Sequence, residues 1–464
     1  MKISKIQMVM LLIFVLTNTD ASTHDVTESP SQGRLQLPIA LFDARLDPVQ
    51  DFFFPDMQQS LQVVWAVDRL TVLSLQEVYV ALLPNREGLR IGLGIATSTA
   101  AAFGLLFVNG WMHEEWHCTA LSAGGVSSRN GFFHTEAWND GMVSVDHVTD
   151  EDLVRLKSEA PDYMTRAMSA GMEAEQTFVI TAGDELFFHG GSQGQRLGPF
   201  FVSGSWMAPL LLLTEVSTIG YPFMCMDPSL DEIIDSENER LTDWQLRDFT
   251  GPDYTAWVYD MFHPDEPYTE RGPHPSGVGI NRYIKWNDLS SHEQAYLKSQ
   301  SRLHLINLVN PHLYGIDGVV WGKGETEDRW VVALGHVLTP WGYTLDARIG
   351  LKRGGLRGKV VLHNGFAATG YFPGFDLVLI DRPLLVQGLA LDGIIGLWLQ
   401  PRDLRHDADE RVPGGRIQIQ LSWRAVAWLD LWAQVSAKTA GWVMGEVYLE
   451  RAVKGAFGLT WHLQ

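Results

Sequence analysis

Residues 415–424 read GRIQIQLSWR, and their central part alternates between apolar and polar side chains. The apolar positions are Ile417, Ile419, Leu421 and Trp423, and the polar positions between them are Gln418, Gln420 and Ser422. Successive side chains of a β-strand point to opposite faces, so this period of two predicts a strand with one apolar and one polar face.

The same period recurs through the C-terminal third of the chain. It is present in GYTLDARIGLKR (342–353), LALDGIIGLWLQ (389–400), WLDLWAQVSAK (428–438), WVMGEVYLER (442–451) and FGLTWHLQ (457–464). Turns with glycine or proline separate most of these runs, and about eight strands at regular spacing indicate an antiparallel arrangement. We therefore predict an antiparallel β-meander or barrel over residues 326–464.

The preceding part of the chain carries helix signals. Residues 91–112 contain no charged side chain, and Gly124 and Gly125 mark the end of that apolar helix. Further helix starts are expected at residues 149–152, at Pro161 and at the capping box Ser290–Glu293. Residues 22–325 are thus predicted to be a mainly helical domain, with an acidic, irregular insertion or lid near 226–289 whose carboxylates are mostly solvated. The expected fold class is α+β.

The N-terminus predicts export. Residues 1–21 combine two lysines, a short apolar run and small residues at a cleavage position, which is typical of a signal peptide. We expect a protein of the cell envelope, periplasm or outer membrane. A formal net charge of −20 argues against a nucleic-acid partner, because a polyanion is repelled. With only Cys118 and Cys225, the fold has no disulfide framework; the two thiols either pair or stay free and buried.

Membrane association is a further expectation. Charged residues are only 19% of the chain, and aromatic side chains lie near the ends of several predicted strands, as in outer-membrane barrels. These aromatic residues are Trp341, Tyr343, Trp423, Trp442 and Trp461. A soluble barrel or sandwich packed on the helices is the alternative, and the sequence leaves the oligomeric state open.

The apolar helix ends in HEEWH, which is His113, Glu114, Glu115, Trp116 and His117. Histidines at i and i+4 lie on the same face of a helix, so both imidazoles can bind one zinc ion. Glu114 then lies beside the metal and can take a proton from bound water. We predict His113 and His117 as zinc ligands and Glu114 as the catalytic base.

A third protein ligand is expected from the later helix segment SAGMEAEQTF (169–178), where Glu173 and Glu175 compete. Glu173 shares its helix face with small and polar residues that can support a ligand. Glu175 shares its face with apolar residues, where a buried carboxylate needs a partner. One of the two is predicted to complete the site.

HEEWH followed by a glutamate on a later helix resembles the gluzincin class of zinc metallopeptidases, in particular its membrane-associated members. In those proteins the later helix carries a glutamate ligand two positions before Glu-Ala-Asp, and this chain has Gly171 there, in Gly171-Met172-Glu173-Ala174-Glu175. The resemblance implies hydrolysis of peptide bonds in a peptide or protein substrate by metal-activated water.

Two functions remain from the sequence. The preferred one is a zinc-dependent envelope metallopeptidase. The alternative is an outer-membrane-type β-barrel protein, structural or transport-related, whose helical part is a non-catalytic plug. A catalytic zinc requires three ligands and an opening to solvent, and this requirement separates the two.

Overall fold

The computed structural model of the protein describes residues 33–45, 56–133, 144–189, 195–197, 200–202, 206–240, 243–321 and 328–463. The predicted signal peptide, residues 1–21, lies outside this part of the chain. The described residues form eight α-helices: α1 (Met57–Leu82), α2 (Glu87–Ala123), α3 (Asp150–Glu159), α4 (Pro161–His189), α5 (Ala208–Cys225), α6 (Pro228–Arg240), α7 (Asp253–Phe262) and α8 (Ser291–Leu303).

Twelve of the strands form one antiparallel sheet, which confirms the α+β class. Its strands are β1 (Gly33–Arg45), β4 (Gln195–Leu197), β5 (Phe200–Val202), β6 (Ile316–Trp321), β7 (Asp328–Thr339), β8 (Gly342–Arg353), β9 (Leu356–Ala367), β10 (Gly370–Pro383), β11 (Leu389–Pro401), β12 (Arg411–Val426), β13 (Leu429–Lys438) and β14 (Ala452–Leu463). The spatial order is β1-β14-β13-β12-β11-β10-β9-β8-β7-β6-β5-β4. A separate pair is formed by β2 (Arg129–Asn130) and β3 (Val145–Asp146).

The helix boundaries follow from local chemistry. The Thr149 hydroxyl accepts a hydrogen bond from the Asp152 N–H at the start of α3. At α8, Ser290 and Glu293 form the predicted reciprocal capping box. The apolar helix α2 ends at Gly124, whose N–H donates to the Ala120 carbonyl. These contacts satisfy backbone groups that the end of a helix leaves unpaired.

The long helix α4 lies against one face of the sheet, which we call the inner face. It packs against β6, β7 and β8, and it also packs against β1, which is one edge of the sheet. At Gly350 on β8 an added Cβ would lie 2.9 Å from the Phe187 ring, so a glycine is needed for this close approach. The Lys352 ammonium donates to the Phe187 carbonyl at 2.9 Å and fastens the end of α4 to the sheet.

Of the two forms predicted for the β region, the structure shows the meander, and it corrects two further expectations. Within the described residues the sheet is not closed: β1 and β4 are its two edges, so it is a meander with added strands rather than a barrel. The run of strands begins at Ile316 instead of residue 326, and β1 joins from before the helices. The alternating stretch 442–451 is a loop, because Trp442, Val447 and Tyr448 are all buried in the core beside the helices.

The segment 226–289 is more ordered and less solvated than expected. It contains α6 and α7, and several of its carboxylates are buried, among them Asp231, Asp248, Asp253 and Asp260. Asp260 lies between the Lys157 ammonium at 2.8 Å and the Arg271 guanidinium at 2.6 Å. The segment is therefore part of the helical core, which it joins through paired charges.

Cys118 and Cys225 are free and buried, so they do not pair. Two of the described helices, over Gly88–Ala123 and Ala208–Cys225, are long and apolar enough to cross a membrane by length and composition. Core helices of soluble proteins pass the same test, so this alone does not decide membrane association.

Candidate metal centre

Four helices meet around the HEEWH motif. The last turns of α2 carry His113, Glu114 and His117, and they pack against α4 and α5. The fourth helix, α7, packs against α4 and α5. The spacing of four residues places the two imidazoles on the same face of α2, with ring centroids 4.9 Å apart.

Each histidine has one ring nitrogen held by an oxygen acceptor. The Nδ1 of His113 donates to Glu175 Oε1 at 3.1 Å, and the Nδ1 of His117 donates to the Ala167 carbonyl at 2.5 Å. Because a carboxylate and a carbonyl only accept, each Nδ1 carries a proton. With a bound ion, both Nε2 atoms would be unprotonated and would present a lone pair to it, as in metal sites where outer acceptors orient the histidine ligands.

The two Nε2 atoms face one carboxylate oxygen, Asp253 Oδ2. Its distances are 3.2 Å to His113 Nε2 and 3.4 Å to His117 Nε2. Among the described residues, this is a group of three ligand atoms that all lie within 4.8 Å of one another. Two ligand atoms bound about 2.0–2.1 Å from a tetrahedral ion are themselves about 3.4 Å apart. The observed separations therefore match two edges of a zinc coordination tetrahedron.

Contacts of both its backbone and its side chain fix the position of Asp253. It is the first residue of α7, and its N–H donates to the Tyr221 hydroxyl on α5 at 3.2 Å. The Tyr221 ring also lies beside His113, with centroids 6.3 Å apart. The Asp253 side chain is only 7% exposed. A carboxylate buried this deeply requires positive charge or donors nearby.

The electrostatics of the cluster favour a positive charge among these groups. Burial alone would raise the pKa of the Asp253 carboxyl, but the charge of His117 and the hydrogen bond with His113 lower it below its usual value. Burial would lower the pKa of His113, whereas its hydrogen bonds with Asp253 and Glu175 raise it well above the usual value. A bound cation supplies such charge without a second ring proton.

Glu114 is buried next to the cluster. Burial raises the pKa of its carboxyl, and the charges of His113 and His117 oppose that effect. A carboxylate with a raised pKa is a better proton acceptor, which suits a general base. The side chains of His113 and Glu175 keep 13% and 15% of their surface exposed, so this pair is partly accessible to solvent.

Gly171 on α4 leaves room between the imidazoles. A Cβ at this position would lie 2.2 Å from His113 Nε2 and 2.4 Å from His117 Nε2. Any side chain here would therefore occupy the space onto which the two lone pairs point. The same distances show that α4 approaches both histidines closely at Gly171.

The two glutamates predicted as third ligand have other partners. Glu175 Oε1 accepts from His113 Nδ1, and Glu175 Oε2 accepts from the Thr218 hydroxyl at 2.6 Å. Glu175 therefore orients the His113 ring from the side opposite Nε2. Glu173 does not face the histidines. Its carboxylate contacts Arg166 at 2.7 Å and accepts from the Gly445 N–H and the Trp442 indole. The third ligand that the geometry offers is Asp253.

Sequence reasoning missed Asp253 because it lies in the acidic segment that was interpreted as solvated. One local signal was available: GPDYTAWVYDMF (251–262) places an aspartate at the start of a stretch with apolar residues at helical spacing. No protein-family model matches this chain. A search of curated proteins finds no match either.

Proposed function

We propose that the protein is a zinc-dependent hydrolase, in the form of an exported cell-envelope metallopeptidase that cleaves peptide bonds in peptide or protein substrates. His113, His117 and Asp253 would hold the ion, and Glu114 would be the general base. The single observation that carries the proposal is the convergence of His113 Nε2 and His117 Nε2 on Asp253 Oδ2 at tetrahedral-edge distances.

The donor set fits zinc. Two imidazole nitrogens and one carboxylate oxygen are a known ligand set of catalytic zinc, and the fourth position is left for water. A bound zinc ion lowers the pKa of that water towards neutrality. Glu114 is buried beside the histidines and would accept the proton, while Glu175 and the Ala167 carbonyl keep both rings oriented.

The alternative function, an outer-membrane-type barrel with a non-catalytic plug, has less support. All four ring nitrogens of the two histidines contact a carboxylate or a backbone carbonyl, which a plug would also allow. A plug, however, gives no reason for both Nε2 atoms to converge on one carboxylate oxygen beside a glycine, whereas a shared metal ion does. Moreover, the described strands do not close into a barrel.

The test compares two adjacent glutamates on α2. Glu114→Gln is expected to keep about one zinc per chain and to lower kcat for fluorescence-quenched peptides or denatured casein by about 10²–10⁴-fold. Glu115→Gln is the matched control, because Glu115 accepts from the Asn130 amide at 2.9 Å and lies away from the cluster. It should keep both zinc and activity.

Three results would overturn the proposal. The first is native protein without stoichiometric metal, and the second is an equal loss of activity in both variants. The third is iron in place of zinc, since two histidines and one carboxylate also bind Fe(II) in oxygenases.

A further inference from the structure

The sheet has its polar face inside and its apolar face outside. On β12, Ile417, Ile419, Leu421 and Trp423 are 43% to 50% exposed. The alternate residues Gln420 and Ser422 are buried. An antiparallel sheet of a soluble protein shows the opposite arrangement, with apolar side chains towards the core and polar ones towards water.

Neighbouring strands repeat this arrangement. Large exposed apolar side chains on the outer face of the other strands are Trp330, Val332, Ile349, Leu362, Ile395, Leu397, Leu431, Val435, Phe457, Leu459 and Trp461. The inner face carries charges that bind one another: His363 lies 3.0 Å from both Asp346 and Asp376, and Arg416 lies 2.6 Å from Asp376. An apolar outer face and a polar inner face are therefore found over most of the sheet.

The strand register joins these side chains into one surface. Trp423 pairs with Leu431, which pairs with Leu459 on the next strand. Ile417 pairs with Ile395 on the other side, and Ile419 pairs with Val435. Side chains directly opposite each other on antiparallel strands lie about 5 Å apart. The outer face is thus a continuous apolar surface, which soluble monomers rarely expose at this size.

The apolar band on this surface is somewhat shorter than the lipid-facing band of a transmembrane β-sheet. From Ile417 to Trp423 the apolar band on β12 is about 20 Å long, at about 3.3 Å per residue. Transmembrane β-sheets present an apolar band about 25 Å tall, bordered by aromatic residues at both interfaces. The size and regularity of the surface are those of a lipid contact rather than of a small docking patch.

Aromatic side chains border the band at both ends. At one end Trp423 is followed by Trp428, whose ring lies 5.7 Å from Trp461. At the other end Tyr371 is 42% exposed, and its ring lies 5.5 Å from Phe366. At the same end as Trp423, the Arg424 guanidinium pairs with the Asp430 carboxylate.

One edge of the sheet is covered by a helix that continues the apolar surface. Helix α1 packs against β1, and its Val63, Val67 and Leu70 are 45%, 39% and 44% exposed. Their spacing places them on one side of the helix. This cover is important in lipid, because the unpaired backbone groups of a bare strand edge are costly there.

We propose that the outer face of strands β7–β14 is embedded in the hydrocarbon of a lipid bilayer. The proposal does not depend on the metal centre. It commits the apolar surface to lipid, because a polar inner face, aromatic residues at both ends and apolar side chains on eight neighbouring strands are shared with membrane-spanning sheets. A second copy of the chain covering the same surface is the competing outcome of the test.

The test places a fluorescent probe on the outer face. Ile419→Cys is labelled with bimane in the folded protein, in which Cys118 and Cys225 are buried, and the labelled protein is reconstituted into phosphatidylcholine vesicles. Brominated acyl chains are expected to quench the probe at position 419 several-fold. The matched control is Asp409→Cys, an exposed position in the loop before β12, which should show no quenching.

A second measurement does not use labelling. Leu421→Lys is expected to reduce flotation of the protein with phosphatidylcholine vesicles, whereas Asp409→Lys leaves flotation unchanged. Equal quenching at positions 419 and 409 would overturn the proposal. So would a stable dimer in detergent-free buffer in which the probe at 419 is shielded and no vesicle binding occurs.

Discussion

Asp253 and His113 are 140 residues apart in the sequence, and their Oδ2 and Nε2 atoms lie 3.2 Å apart in the fold. The contact joins the start of α7 to the end of α2, and Tyr221 on α5 holds the Asp253 backbone. Three helices thus contribute to the position of this carboxylate.

Gly171→Ala is expected to abolish zinc binding without removing a ligand. The new methyl group would lie within 2.4 Å of both Nε2 atoms and would fill the space that the ion needs. Isothermal titration with zinc measures the loss. Gly220→Ala is the control, because nothing lies within 4 Å of a Cβ at this helical position. Unchanged zinc affinity in folded Gly171→Ala protein would place the ion elsewhere.

Glu175→Gln is expected to weaken zinc binding by about 10–100-fold, as loss of an outer partner does in other metal sites. The neutral amide no longer supports the charge of the His113 ring, although it still fills the position. Thr218→Val should have a smaller effect, because it removes only the hydroxyl that donates to Glu175 Oε2. Competition with a chromogenic chelator gives both affinities, and a complete loss in the Glu175 variant would make Glu175 a direct ligand.

Glu173→Ala is expected to destabilise the fold by about 3–5 kcal/mol, because it leaves the Arg166 charge buried without its carboxylate. Both side chains of this pair are 0% exposed. Zinc content per folded chain should not change. Asp265→Ala removes an exposed partner of Arg405 and should cost less than about 1 kcal/mol. Chemical denaturation compares the two, and similar losses in both would contradict the buried-pair account.

The Asp260 cluster predicts a pH dependence of stability. Lys157 and Arg271 lower the pKa of Asp260 below its ordinary value in spite of burial. A depressed folded-state pKa gives stability that is fully present above about pH 4 and is lost as the pH falls through the lower folded value. The difference in unfolding free energy between the native protein and Asp260→Asn should therefore shrink below pH 4. A difference that stays constant to pH 2 would show that the charge of Asp260 does not stabilise the fold.

Local patterns predicted most of the secondary structure. The alternating residues 415–424 lie in β12, and Thr149 and Ser290 cap α3 and α8 as predicted. These features could be predicted because they depend on residues that are neighbours in the sequence. The same alternation predicted a strand at 442–451 wrongly. There Trp442 and Gly445 bind Glu173 on α4, a contact 269 and 272 residues distant that no local pattern contains.

The metal centre shows the same limit. Spacing alone identified His113, Glu114 and His117, since all three lie on one helix. The choice of the third ligand depends on which helices pack around α2. Both candidate glutamates lie on α4, whereas the converging carboxylate comes from α7. The departure at Gly171 was visible in the sequence. Its structural reason depends on how α4 packs: at this position a side chain would collide with both imidazoles.

The most direct test of the account is the zinc content of purified native protein and of its Asp253→Ala and Asp265→Ala variants, measured by elemental analysis. We predict about one zinc per chain in the native protein and in Asp265→Ala, and none in folded Asp253→Ala. Stoichiometric zinc retained by Asp253→Ala, or no metal in the native protein, would contradict the proposed centre.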